Sequence, residues 1–313
     1  MIWSLDRLEK RGLAGTVLGT SVMPYCSGLS NLMFALALAN KGGAKGELVL
    51  ENCLVNNITN LTLLLGIPTL IWGMELIPSQ KSSSGKRKAK SKTGKGPAEE
   101  HRLNRLSLLL TLFAALFFTA ALWVTGKNGK IDPSEGMTLI GLFLFWQLFQ
   151  IFDVLKYNVQ SKTKVGMGMW LEVLFVLIGG YIMFNSIDTL IDLLLNLGSG
   201  FIGEGGLGWL SGWIMVLPNA MLAIYYSIKK RSDIAYSSQV GDGHICIPLC
   251  IGLYAIFNPI KVHEPFLMSV FLLMGVCAVH ILIVLLMGRL PKWLGGALVL
   301  SYGYFLFKGL VNI

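Results

Sequence analysis

Long apolar runs, separated by short polar or basic gaps, dominate this chain. Nine segments reach or approach the roughly 20 apolar residues that a helix needs to cross a bilayer. They are 13–39, 48–76, 105–126, 136–156, 166–196, 205–228, 234–258, 266–288 and 293–313. Two are too long for a simple span. Residues 13–39 hold Gly15, Gly19, Pro24 and Gly28, and 166–196 ends on Asn185, Ser186, Asp188 and Asp192, so each is expected to break or tilt strongly. The pattern predicts an all-α, polytopic transmembrane helix bundle of about nine spans.

Composition agrees. Charged residues make up 14% of the chain and hydrophobic ones 54%, with a mean hydropathy of +0.64; a soluble domain carries about a quarter of its residues charged. The net charge of +9 is not a nucleic-acid footprint, because the basic residues sit in the gaps between spans. Lys and Arg number 20 in loops 1–12, 77–105, 156–165, 229–233 and 289–292, against 5 in the alternate loops 40–47, 127–135, 197–204 and 259–265. That alternation places the N-terminus in the cytoplasm of a protein integral to the plasma (inner) membrane. The Lys/Ser/Gly-rich segment 78–104 is expected to be a disordered cytoplasmic loop, either a solvated topology signal or a polybasic patch for anionic lipid. The first twelve residues carry five charges and no separate apolar core, so no cleavable signal peptide is expected.

Two distant segments share a pattern. Leu29, Asn31, Met33, Ala35 and Lys41 align with Leu217, Asn219, Met221, Ala223 and Lys229; after a two-residue gap Glu47 meets Asp233, Asn56 meets Asp242 and Gly66 meets Gly252. On the nine-span map the first copy starts inside and the second outside, so the repeats are inverted. Inverted repeats with polar, Gly/Pro-interrupted segments at matching places point to a secondary transporter with its site at the membrane midplane. On this reading residues 1–77 form the core hairpin of the first repeat, 105–165 its remaining spans, and 166–313 the second repeat.

The residues also resemble a family. Glu47–Gly66 (ELVLENCLVNNITNLTLLLG) and Asp233–Gly252 (DIAYSSQVGDGHICIPLCIG) match, in spacing throughout and in identity in part, the second repeat motif of the calcium/cation antiporters, which include the sodium/calcium exchangers. The segment from Val176 that precedes Asn219 looks like that family's lead-in to its second repeat. The resemblance implies two inverted repeats with broken helices and sodium- or proton-coupled cation antiport by alternating access. It also implies ten spans, five in each repeat, of which the nine-span map lacks the first. The family's cation-binding glutamates correspond here to Asn31, in CSGLSN with Ser27, and Asn219, in IMVLPN. An alternative register on GTSVMPY puts Pro24 or Tyr25 at the first of these positions; the Asn31 register keeps the two repeats commensurate. Either leaves no Glu there.

Ca²⁺ takes six to eight oxygens, several of them anionic. Asn31 and Asn219 offer neutral carbonyls, which puts calcium specificity in doubt and suits a monovalent ion better. Asn56, Asn60, Asp242, Glu51 and Ser27 complete the candidate ion site, with Asp242 first among them because a carboxylate at midplane costs about 2.5–3.5 kcal/mol on insertion scales and is kept for a partner or a function. Helix-break packing for Asp242 and a helix-start role for Glu51 are the structural alternatives. His244 and Cys246 could serve a proton or a soft metal, although H-x-C-x-x-x-C is not a specific metal signature. The five cysteines, Cys26, Cys53, Cys246, Cys250 and Cys277, all lie in or beside apolar segments and read as packing residues. No H-E-x-x-H, G-x-S-x-G or P-loop is present, so no enzyme and no cofactor is expected; the bound species would be Na⁺ or another cation, and the partners a lipid bilayer and that small cation, not nucleic acid. The alternative function is a non-transporting protein of the exchanger fold with a structural or regulatory role.

Overall fold

The computed structural model describes residues 23–41, 45–76, 97–158, 206–263 and 265–311, together with scattered positions between 182 and 196. Most of the expected span 166–196, the start of 13–39 and most of the basic loop therefore lie outside the described residues.

Eight helical units are present among the described residues. The first repeat comprises α1 (Met23–Lys41), a long core helix made of α2 (Gly46–Thr59) and α3 (Leu65–Trp72), then α4 (Pro97–Gly126) and α5 (Pro133–Asn158). The second comprises α6 (Leu207–Ile228), a core helix made of α7 (Ser232–Ile245) and α8 (Gly252–Phe257), then α9 (Pro265–Met287) and α10 (Lys292–Val311). Proline opens α4, α5 and α9, where its missing N–H is no loss. The helix α4 starts eight residues before the expected span, so the end of segment 78–104 is helical.

The predicted helix breaks take a specific form. Each core helix widens into one π-helical segment, Asn60–Leu64 in the first repeat and Cys246–Ile251 in the second. Both follow an α-segment of 14 residues. Pro68 cannot donate to the carbonyl of Leu64, the last residue of the first π segment, and Pro248 lies inside the second, so in each copy the regular i→i−4 ladder is denied a donor where it loosens. Thr59 and Thr62 divert carbonyls of the preceding turn to their hydroxyls, with Thr59 Oγ1 donating to Val55 O at 2.7 Å.

The repeats embrace each other symmetrically. Helix α1 packs on α7 and α6 on α2; α3 lies against α10 and α8 against α5. Glycines set the last two contacts: a Cβ on Gly136 would stand 2.8 Å from the carbonyl oxygen of Gly252, and one on Gly295 would stand 2.7 Å from that of Gly66. Close backbone approach through small residues is how helices associate where lipid offers no hydrophobic drive. Gly66 and Gly252, aligned by the repeat, are thus needed for the same reason.

Two short antiparallel ribbons repeat the exchange. After the first core helix, β1 (Met74–Glu75) pairs with β4 (Arg289–Leu290) from the α9–α10 turn; after the second, β3 (Ile260–Lys261) pairs with β2 (Lys130–Ile131) from the α4–α5 turn. Gly73 and Gly288, with φ of 69° and 63°, make the sharp turns into β1 and β4.

Burial sorts the helices. The core helices, Gly46–Trp72 and Ser232–Phe257, are 78% buried over their most apolar windows, at mean hydropathies of 1.4 and 1.6; Pro265–Met287 reaches 2.9 and is 44% buried. The outer helices expose Phe145, Phe152, Leu282, Leu286, Leu300 and Phe307, which in water would be an aggregation surface and in a bilayer is a lipid-facing one.

Candidate cation site

In α2 and the π segment after it, asparagine recurs every fourth residue, at Asn52, Asn56 and Asn60, which puts all three amides on one face. The aligned residues of the second repeat are Ser238, Asp242 and Cys246. The two faces meet, and all six side chains are buried. Asn56 and Asp242 are repeat equivalents and bond directly, Asn56 Nδ2 donating to Asp242 Oδ2, so the pair marks the pseudo-twofold axis. Asn60 Nδ2 donates to the same carboxylate oxygen at 2.8 Å, and the Cys246 thiol approaches it at 3.5 Å.

Asn219 joins from α6, its Nδ2 donating to Asn60 Oδ1 at 3.2 Å. Its repeat equivalent, Asn31 on α1, fares differently. Where Asn219 finds Asn60, the symmetric position holds Cys246, on the π segment against which α1 packs. A thiol is a poor partner for an amide, and both polar atoms of the fully buried Asn31 lack a hydrogen bond.

Sequence reasoning did not single out Asn52, Ser238 or Gln239. Asn52 Nδ2 reaches Ser211 Oγ at 3.1 Å, and Gln239 Nε2 reaches Asn219 O at 3.2 Å and Ser238 Oγ at 3.1 Å. The four-residue spacing of the asparagines was the available signal for Asn52; Gln239 aligns with Cys53, an apolar neighbour that concealed it.

Other candidates lie apart. Glu51 lines an open pocket at the start of α2, shared with Glu47, Lys261, His263 and Trp209, and its carboxylate rests against Gly208 of α6. His263 Nδ1 lies 3.4 Å from Glu47 Oε2 at that mouth. His244 faces away from Asp242: its Nε2 meets the carbonyl of Thr111 at 2.9 Å, and its ring packs edge-on to Phe118 and Trp146. Cys246 instead faces Asp242, so the two suggested soft-metal ligands have different neighbours. Among the described residues no three His, Cys, Asp or Glu side chains are placed to hold a metal ion. The side chain of Ser27 lies outside the described residues.

A buried carboxylate on the axis of two inverted, π-interrupted helical hairpins, inside a lipid-facing shell, defines a class: the inverted-repeat cation antiporters. The sodium/calcium exchanger protein family matches residues 1–152 and 162–308, and the chain belongs to it. Among solved structures, the sodium-calcium exchanger NCX_Mj soaked with 2.5 mM Na⁺ and 1 mM Sr²⁺ is similar at a TM-score of 0.66 and 16% identity, covering 96% of this chain and 90% of that one. The same exchanger soaked with zero Na⁺ and Ca²⁺ gives a TM-score of 0.66 at 14% identity, over 97% of this chain and 90% of that one. No curated protein matches in sequence. Membership places the chain among membrane-embedded cation antiporters; at such identity the likeness to NCX_Mj is one of fold.

Proposed function

We propose that the chain is a secondary-active cation antiporter that works by alternating access, in a plasma (inner) membrane with its N-terminus cytoplasmic. Asp242 is its central cation ligand, and Asn56, Asn60, Asn219 and Asn31 complete the seat. One observation carries this reading: a carboxylate of the second repeat is buried at the contact of the two core hairpins, where its Oδ2 accepts hydrogen bonds from side-chain amides of the first. A carboxylate at that depth is costly and is kept for a partner or a function, and here both inverted repeats converge on it. The amides of Asn56 and Asn60 fix its orientation at that contact.

Both core hairpins contact both repeats, so sliding of the outer helices α4, α5, α9 and α10 against them would open the seat to one side and then the other. Glu51 and Glu47, in the pocket at the start of α2, would draw cations to one mouth.

The test is Asp242→Asn in reconstituted vesicles. Cation flux should vanish while the purified protein keeps its helicity and its elution position. Undiminished flux in that variant would remove Asp242 from the seat. A wild-type protein silent toward every cation tried would leave the non-transporting exchanger fold as the better description.

A further inference from the structure

Helix α9 has the highest mean hydropathy among the described spans, 2.9, yet it carries a fully buried imidazole, that of His280. A polar ring in such a helix is held by the groups it bonds. His280 Nε2 lies 3.0 Å from the carbonyl oxygen of Leu61 in the first π segment, and Nδ1 lies 3.1 Å from the Tyr236 hydroxyl on α7. A carbonyl can only accept, so the hydrogen is assigned to Nε2, and Nδ1 is left to accept from the hydroxyl. One imidazole on an outer helix of the second repeat thus ties the first core helix to the second.

The Leu61 carbonyl is where the break in the first core helix calls for a donor. In a regular helix it would accept from the N–H of Leu65, four residues on. That N–H turns instead to the carbonyl of Thr62. A buried carbonyl that loses its regular donor costs free energy unless another donor reaches it, and His280 Nε2 does so. Leu61 directly follows Asn60, whose Nδ2 donates to Asp242 Oδ2 at 2.8 Å and whose Oδ1 accepts from Asn219 Nδ2 at 3.2 Å. Asn60 therefore joins the two repeats within the seat, and the residue after it is anchored from outside the seat. Tyr236 holds the ring from the other side, with ring centroids 5.5 Å apart.

We infer that His280 is a positioning residue for the cation seat: by closing the Leu61 carbonyl it holds the first π segment in the form that sets Asn60 against Asp242 and Asn219, and so sets cation affinity. This rests on the transport reading given above and adds to it a residue that does not touch the cation. The two arms of the ring have separate duties. The Leu61 arm shapes the π segment; the Tyr236 arm orients the ring and adds stability. Glutamine can bring an amide N–H to where Nε2 stands, so His280→Gln keeps the Leu61 arm, whereas His280→Phe keeps a ring and loses both bonds. A ring kept only to pack helices together would have no need of that donor.

The experiment measures radiolabelled sodium uptake by the full chain in vesicles, with thermal unfolding and amide hydrogen exchange in detergent. His280→Phe should raise the half-saturating sodium concentration about tenfold, the equivalent of one hydrogen bond, and leave the maximal rate within about twofold. His280→Gln should bring that concentration back to within about twofold of wild type. Tyr236→Phe should lower the melting temperature and saturate like the wild type. A His280→Phe protein that melts earlier but saturates normally would overturn the inference, as would His280→Gln faring no better than His280→Phe. If the wild type moves no sodium, the fault lies with the transport reading, and exchange of the amides of residues 60–66 decides the positioning instead. Exchange at least about tenfold faster in His280→Phe and unchanged in His280→Gln is expected; equal rates in all three proteins would overturn it. Should His280→Phe not fold, the imidazole nitrogen resonances of wild-type His280 decide: hydrogen on Nε2 and a lone pair on Nδ1 are expected, and the opposite tautomer would refute the Leu61 arm.

Discussion

The two core hairpins have the same backbone and different chemistry. Each has 14 α-helical residues, then a π segment, then a short helix closed by a two-residue strand. Along the buried face, however, the first reads Asn52, Asn56, Asn60 and the second Ser238, Asp242, Cys246. The first supplies amide donors; the second supplies the charge they hold. Symmetric backbones position the face, and unlike residues on it prevent two identical carboxylates from meeting on the axis, where like charges would repel. The same inequality reaches α1 and α6: Asn219 has a partner in Asn60, and Asn31, opposite a cysteine, has none.

The sharpest way to break this comparison is to move the charge. Asp242→Asn should lower cation flux at least about a hundredfold, the scale of about 3 kcal/mol for an uncompensated charge in the membrane interior. Adding Asn56→Asp to that variant returns a carboxylate to the equivalent position, and isotope uptake should recover in part; a double variant as silent as the single one would mean that the two sides of the axis are not interchangeable. Next in size is Gly252→Leu, which drives a side chain into the backbone of α5 and should cost about 1–3 kcal/mol in thermal unfolding, while Gly141→Leu, with no neighbour within 4 Å, should cost little. Asn60→Ala removes a donor from the buried carboxylate and an acceptor from Asn219, a loss of about 1.5–3 kcal/mol, whereas Cys246→Ala should lose less than about 1 kcal/mol. The smallest effect is the most telling. Asn31→Ala should leave the melting temperature nearly unchanged, because no hydrogen bond is broken, yet still weaken cation binding; Asn219→Ala should lower both.

Much of the fold was legible because bilayer constraints write themselves plainly into sequence. Apolar length marked the helices, and the offset that aligns Glu47 with Asp233 is also the offset that aligns the two π segments. The meeting of Asn56, Asn60, Asn219 and Asp242 followed from that alignment, since residues related by an axis between two packed hairpins are candidates to touch. Proline marked the zone of each break but not its π form, which depends on where the ladder loosens. His244 and Cys246 looked like neighbours at a spacing of two, but that spacing turns side chains about 200° apart on a helix, and they face different helices. The ribbons β1–β4 and β2–β3 left no signal, because two-residue strands have no periodicity to read.

The pairing of Asn56 with a residue 186 positions later also bears on biogenesis. At about 5–20 residues per second a ribosome needs roughly 10–40 s to make that interval. Throughout it Asn52, Asn56 and Asn60 are already made, while the partners of their amide nitrogens, Ser211 and Asp242, are not. The nascent first half must therefore wait in the insertion machinery or at the headgroup level until Asp242 and its helix arrive, and a chain terminated before Ser232 should be cleared by membrane quality control rather than accumulate as a half-bundle.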